Sequence, residues 1–242
     1  MDGLFETMIN QFLLQLPAET GNTLYGLLGN LQYLAFVGML LLASVKYRIS
    51  VKQKIIIWIS FAAARLWAGN LIPTLSELTN GIIPKINMGV VFAPFVLIVA
   101  AIAYCFHVSV LLSLDVTIPP FILGRGLAIT GCIFTGCCHG FPLSWGIYSS
   151  EAKTTTFPTV ILDIVMSCCI AIYLAVLARK QRYSGNGRVA AMGMILFGLL
   201  RILIDILRDN QKLFAMLTAE GLFGIVYLVA GCLLLRYILH PR

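Results

Sequence analysis

The amino-acid sequence predicts an all-α, polytopic integral membrane protein of seven transmembrane helices, its N-terminus outside and its C-terminus cytoplasmic. Three features of the chain lead there. Of its 242 residues, 60% are hydrophobic and only 11% charged, where a soluble domain has roughly 45–50% apolar residues and about 25% charged ones. A window of about 20 apolar residues, one helical crossing of a hydrocarbon core, recurs seven times. The basic residues gather in alternate loops.

The spans are expected at 23–45, 53–73, 88–107, 117–138, 157–178, 189–207 and 218–239. Runs such as "YLAFVGMLLLASV" and "FAPFVLIVAAIAYCF" are continuously apolar. A membrane barrel, built from ~10-residue strands that alternate apolar and polar, is thereby excluded. Ahead of the first span, "FETMINQFLLQLP" within residues 1–22 reads either as a short helix lying on the outer surface or as a lead-in to the first helix. The opening residues carry acids and no basic n-region, so no cleavable signal peptide is expected. Repeats, low-complexity tracts and soluble domains are not evident, and residues 1–242 are read as one transmembrane domain.

The net charge of +7 is a matter of topology, and nucleic acid is not an expected partner. Lys46, Arg48, Lys52 and Lys54 follow the first span; Arg179, Lys180, Arg182 and Arg188 follow the fifth; Arg236 and Arg242 close the chain. The N-terminus holds Asp2, Glu6 and Glu19 without a base. The positive-inside rule then gives the stated orientation. The basic loops also suit anionic lipid headgroups, a second use that topology does not require.

Ionisable residues at membrane depth are costly and usually face a protein interior or a wet cavity. Arg65, Arg125 and Arg201 lie inside spans, with Asp163 in the fifth and Asp205 one turn after Arg201. Three cations against two acids leave a positive surplus. Arg201 and Asp205, at i and i+4, are placed to satisfy each other. Arg125, between Gly124 and Gly126, is harder to explain as packing: glycines admit close approach, and a planar guanidinium suits a phosphate. The core is read as an anion pocket, most simply for a phospholipid headgroup.

Cys105, Cys168, Cys169 and Cys232 lie in spans and read as small apolar residues. Cys132 and Cys137 are five residues apart, a spacing that does not set two ligands on one helical face, and no second Cys or His pair at ligand spacing is read elsewhere. No metal or other cofactor is therefore expected. Cys137 and Cys138 remain open to two readings, a reactive thiol or covalent way station for lipid, or small residues at a helix contact.

"AARLWAGNL", the run "GVVFAPFVLIVAAIAYCFHVSVLLSLDVTIPPFILG", "GCIFTGCCHGFPLSWGIY", "FPTVILD" and "LFGLLRILIDILR" together resemble the bacterial prolipoprotein diacylglyceryl transferases over nearly the whole chain. That resemblance implies seven helices in the bacterial cytoplasmic (inner) membrane. It also implies transfer of a diacylglyceryl group from phosphatidylglycerol to a lipobox cysteine. The third segment is similar to cysteine-rich variants of the family's signature; Pro158, Thr159 and Asp163 match its His-Pro-Thr block, and Arg201 and Asp205 its Arg-x-x-x-Glu segment. Departures are clear too: Ile129 stands where the signature has arginine, with Arg125 one turn earlier, and Ala93 and Phe157 replace polar family positions.

The expected site therefore comprises Arg125, Arg201 and His139 as catalytic groups. Arg65, Cys137, Cys138, Gly140, Thr159, Asp163 and Asp205 are expected to bind substrate. The arginines would stabilise charge on the departing glycerol phosphate. His139, whose type titrates near neutrality, is read either as the base that deprotonates the acceptor or as a structural hydrogen-bond donor. Partners implied are a phospholipid donor and a lipobox peptide or other acceptor. Two alternatives stay open: a relative with a changed acceptor, and a non-catalytic protein that binds or transports lipid.

Overall fold

In lipid every backbone N–H and C=O must find an internal partner, and the described residues of this chain meet that demand mostly with helices. The computed structural model describes residues 2–15, 17–47, 49–66, 88–182, 184–209 and 217–240. It contains α1 (Asp2–Gln15), α2 (Ala18–Lys46), α3 (Val51–Leu66), α4 (Met88–Cys105) and α5 (Val110–Ala128). A 3-10 turn, Ile129–Gly131, leads into the one-turn α6 (Cys132–Thr135); then come β1 (Pro142–Ser149), β2 (Thr154–Thr156), α7 (Thr159–Lys180), α8 (Arg188–Leu207) and α9 (Ala219–Leu239).

Five helices among the described residues are long and apolar enough to cross a membrane: Glu19–Lys46, Val110–Thr135, Thr159–Lys180, Arg188–Leu207 and Ala219–Leu239. Val91–Cys105 is a shorter apolar helix. The second expected span begins as α3, but its last residues, 67–73, lie outside the described residues. The surface agrees with a lipid solvent. Leu34, Leu97, Ile172 and Leu233 are each more than three-fifths exposed, while three arginines are buried, an inversion of the usual water-soluble arrangement.

Two expectations are corrected. The fold is not purely helical: β1 and β2 pair antiparallel, with Tyr148 opposite Thr155 and Ser149 opposite Thr154. Three consecutive β-branched threonines favour that extended chain over a helix. The fourth span also starts earlier than 117, because Ser109 caps α5 by accepting from the Leu112 N–H. Asp115 lies within this helix and is used inside the protein. Its carboxylate accepts from the Gly187 and Ala190 N–H groups at 2.9 and 2.7 Å and so caps the start of α8.

Within the bundle, α8 and α9 approach so closely that a Cβ on Gly198 would come 2.5 Å from the Gly224 carbonyl oxygen, the small-residue packing expected between membrane helices. Phe92, Phe95, Phe121, Phe197 and Tyr227 fill the centre; Phe92 meets Phe197 at 4.7 Å and Tyr227 at 4.9 Å between ring centroids. The N-terminal segment is tied to the hairpin. Asn10 donates to the Gly146 carbonyl at 3.0 Å and accepts from the Tyr148 N–H at 2.9 Å.

Candidate active site

Below the hairpin, five charged side chains from α5, α7, the end of α8 and the start of α9 converge. Asp163 is fully buried and accepts from Arg125 Nη1 at 2.7 Å and from Arg201 Nη2; Arg208 Nη2 stands 3.8 Å from its second oxygen. Glu220 holds Arg208 at 2.9 Å and lies 3.9 Å from Arg201. The α5–α7 approach that permits this runs over Gly126, where a Cβ would fall 2.6 Å from Ser167 Cβ. The glycine beside Arg125 thus serves helix contact, which brings Asp163 to the arginine.

Among the described residues, three guanidinium charges face two carboxylates, leaving one positive charge over. Arg125 Nε and Arg201 Nε and Nη1 have no hydrogen-bond partner among the described residues. Phe197 lies beneath both guanidiniums, 5.9 Å from Arg125 and 5.1 Å from Arg201 at its ring centroid, and offers a cation–π face without consuming a donor. A buried cluster of this kind is costly to desolvate. An anion would supply both the missing charge and the missing acceptors. Outside the spans, Arg208 illustrates the competition: burial opposes its charge, but Glu220 outweighs it and holds the guanidinium above its ordinary pKa.

The expected pairing of Arg201 with Asp205 is replaced. Arg201 reaches across to Asp163, while Asp205 accepts from the Thr218 N–H at 2.6 Å and from its hydroxyl. Thr218 is the N-cap of α9, so Asp205 fixes the entry to the helix that carries Glu220. Arg125 is likewise not alone, since Asp163 partners one of its nitrogens. Arg65 lies on α3, but its side chain falls outside the described residues.

Next to the ion cluster, residues 136–141 fold back over the end of the fourth span. Gly136, at φ 69°, ends α6 in the left-handed region. Ser149 and Ser150 hydroxyls donate to the Gly136 and Thr135 carbonyls at 2.6 and 2.8 Å. Cys138 is also left-handed, at φ 62°, a conformation costing a non-glycine residue roughly 1–2 kcal/mol. Because the helix stops at Gly136, helical spacing no longer governs: the sulfurs of Cys132, Cys137 and Cys138 all lie within 4.8 Å of one another. The reasoning from spacing that kept Cys132 and Cys137 apart is therefore overturned. Cys137 Sγ is 3.1 Å from Thr135 Oγ1. Hydrogen bonding from Cys132 and Cys138 stabilises the Cys137 thiolate and holds its pKa well below the ordinary thiol range.

Thr159 donates its hydroxyl to the Cys138 carbonyl at 2.8 Å. Gly140 pairs as a bridge with Arg208 and lies so near the next segment that a Cβ would meet the Phe157 carbonyl oxygen at 2.7 Å. These two residues position backbone. His139 Nδ1 lies 3.2 Å from the Gly140 carbonyl; a carbonyl only accepts, so Nδ1 is the donor in that bond, which in the neutral ring leaves Nε2 as the acceptor. A cleft of about 30 Å³ is lined by His139, Cys132, Cys137, Tyr148 and Thr159 among others.

Sequence reasoning missed Arg208, Glu220, Phe197 and Tyr227. Arg208 is seven residues after Arg201, a helical i, i+7 spacing that signals a shared face. Tyr227 was hidden in an apolar run, yet its hydroxyl accepts from the Ala93 N–H at 3.1 Å, bringing a polar group to a position whose own side chain is a methyl. Ile129, at the signature arginine position, packs with Cys132 and Val160. Phe157 stacks on Phe141 at 5.3 Å.

Comparison with known proteins matches residues 23–237 to a family model described as prolipoprotein diacylglyceryl transferase. Among similar proteins are three phosphatidylglycerol–prolipoprotein diacylglyceryl transferases. That of Clostridium tetani is 28% identical over 131 residues, covering 51% of this chain and 52% of the relative. That of Finegoldia magna is 28% identical over 145 residues, 57% of each. That of Dehalococcoides mccartyi is 25% identical over 144 residues, 56% of this chain and 55% of the relative. In these alignments the chain spans about half the length of the curated relatives it matches.

Proposed function

The chain belongs to the prolipoprotein diacylglyceryl transferase family, and we propose that it moves the diacylglyceryl group of a phosphatidylglycerol-like donor to a lipoprotein cysteine in the bacterial cytoplasmic membrane. The observation that carries this reading is the buried arginine cluster, which among the described residues has one positive charge in excess and three nitrogens of Arg125 and Arg201 without a hydrogen-bond partner. A phosphodiester supplies one negative charge and several acceptor oxygens, which is what that cluster lacks. Arg125 and Arg201 hold the phosphate and meet the charge that grows on it as glycerol phosphate departs. Asp163 keeps both guanidiniums convergent. Arg201 is fully buried, so its free N–H groups reach a lipid oxygen only as the cluster opens, a gating step of the usual kind.

His139 acts as the base toward the acceptor thiol, since its Nδ1–H is engaged by Gly140 and Nε2 faces an open role. Cys137 and Cys138 line the acceptor side; Thr159 and Gly140 fix the segment that carries them, and Asp205 fixes α9. Arg65 is assigned to the headgroup.

The chain forms one domain of seven crossings, N-terminus outside. Lys46, Arg188 and Arg236 mark the cytoplasmic ends of α2, α8 and α9, in keeping with the positive-inside rule. α1 is assigned to the outer surface, beside the hairpin it binds. A changed acceptor is the second reading, favoured by the apolar side chains Ala93, Ile129 and Phe157.

The test is incubation of the protein in liposomes with labelled phosphatidylglycerol and a lipobox peptide, both followed by mass spectrometry. A diacylglyceryl increment on the peptide cysteine is expected. Consumed lipid with unmodified peptide would establish the changed acceptor, and intact lipid would overturn the transferase reading.

A further inference from the structure

Three cysteines brought to one point by a helix end, a left-handed residue and two serine caps are a different object from three cysteines along a span. We propose that Cys132, Cys137 and Cys138 form a three-thiolate site for a thiophilic divalent cation of the zinc class, with the fourth position open to the adjacent cleft for an incoming thiol. The use of that fourth position rests on the transferase reading; the cation site itself does not.

The geometry is close to what such an ion needs. With Zn–S bonds of about 2.3 Å, tetrahedral ligation sets sulfurs about 3.8 Å apart. The three sulfurs already lie within 4.8 Å of one another, so a contraction of about 1 Å or less completes the set. An all-sulfur donor set selects soft or borderline cations over calcium and magnesium, which take oxygen ligands. Thr135 Oγ1, 3.1 Å from Cys137 Sγ, can donate to a bound thiolate as an outer-shell partner. The Cys138 carbonyl is held by Thr159 and its neighbour Gly140 by Arg208, so the site is built on fixed backbone.

Three protein ligands leave a tetrahedral ion one position short, the arrangement of reactive zinc centres. The cleft beside Cys132 and Cys137 has about 30 Å³, room for one water or one sulfur. A thiol that coordinates a cation loses its proton outright, and His139 on the same cleft takes that proton. The coordinated sulfur then gives its electron pair to the glycerol carbon of the donor, forming the C–S bond. The C–O bond to phosphate breaks, its pair leaves with glycerol phosphate, and the cation keeps its oxidation state throughout.

The experiment uses the full chain, purified reduced in detergent, stripped by chelator and titrated with Co²⁺ alone. One equivalent should bind with the intense sulfur-to-cobalt charge-transfer absorption of a thiolate site, and Zn²⁺ should displace it. Cys137→Ser should weaken binding by at least ~10–100-fold, the loss that even an outer-shell change brings. Thr135→Ala, which leaves all three sulfurs in place, should weaken it about tenfold, and Cys168→Ser should change nothing. Absence of the absorption, equal effects of Cys137→Ser and Cys168→Ser, or a disulfide within the trio of the reduced protein would overturn the site. A lipobox peptide should then shift the cobalt spectrum and its cysteine-to-serine version should not; no shift with either would remove the thiol-presenting role. Failure of the transferase reading reads differently, as unconsumed phosphatidylglycerol with the cobalt spectrum intact.

Discussion

Replacing Asp163 by Asn tests the ion cluster at its centre. Asp163 is fully buried, partners Arg125 and Arg201 directly and stands 3.8 Å from Arg208. The amide is nearly isosteric and its oxygen still accepts, so the change isolates charge: the excess rises from one positive charge to two with no route to water. Removing one partner of a buried pair costs about 3–5 kcal/mol. At roughly 2–4 °C per kcal/mol for a chain of this size, the midpoint of thermal unfolding should fall by about 6–20 °C. The assay is a melting curve in detergent with aggregation followed by light scattering. Arg125→Met restores the original excess, so the double variant should recover part of the loss, with a coupling of roughly 0.5–3 kcal/mol. A melting point for Asp163→Asn within about 2 °C of the parent, or strict additivity with Arg125→Met, would refute the idea that Asp163 neutralises this cluster.

Arg201→Lys keeps a positive charge but loses the planar fork, so turnover in the liposome assay should drop by about 10²–10³ while the protein still inserts; retained turnover would exclude Arg201 from the phosphate. His139→Gln conserves hydrogen bonding without a titratable ring. Its pH–rate profile should lose the inflection that a titrating base imposes, and an unaltered profile would reassign the base. Gly140→Ala pushes a methyl to 2.7 Å from the Phe157 carbonyl. The resulting strain, about 1–3 kcal/mol, should lower the melting point and speed alkylation of Cys137 and Cys138, since the staple over them loosens. Unchanged thiol reactivity would show that Gly140 does not hold that segment.

The helices were legible because lipid leaves the backbone few choices, and the ends of the last three spans fell within two residues of those read from hydropathy. The hairpin was not, because "FPLSWGIYSSEAKTTT" mixes polar and aromatic residues without a clean period, and its order depends on α1 reaching over it through Asn10. Cysteine geometry escaped for a different reason. Spacing rules assume the helix continues, and a single left-handed glycine voids them. Gly136 was visible in "FTGCCHG", but the two serines that fasten the helix end come 13 and 15 residues later in the contacts they make.

The arginine cluster shows how far charge counting reaches. From the spans alone, Arg65, Arg125 and Arg201 stood against Asp163 and Asp205, an excess of one; the assembled site has Arg125, Arg201 and Arg208 against Asp163 and Glu220, the same excess with different members. The agreement has a physical basis, since a membrane interior tolerates few uncompensated charges, and any selection of deep ionisable groups samples nearly the same balance. Membership is another matter. Arg201 prefers Asp163, 38 residues away, to Asp205 on its own helix because the face of α8 that carries Arg201 turns toward α7, while Asp205 is drawn to the N–H and hydroxyl of Thr218 at the start of α9. A helix N-terminus competes for a carboxylate as a guanidinium does, and here it wins Asp205. That competition releases Arg201 to the centre, where its Nε and Nη1 have no hydrogen-bond partner among the described residues.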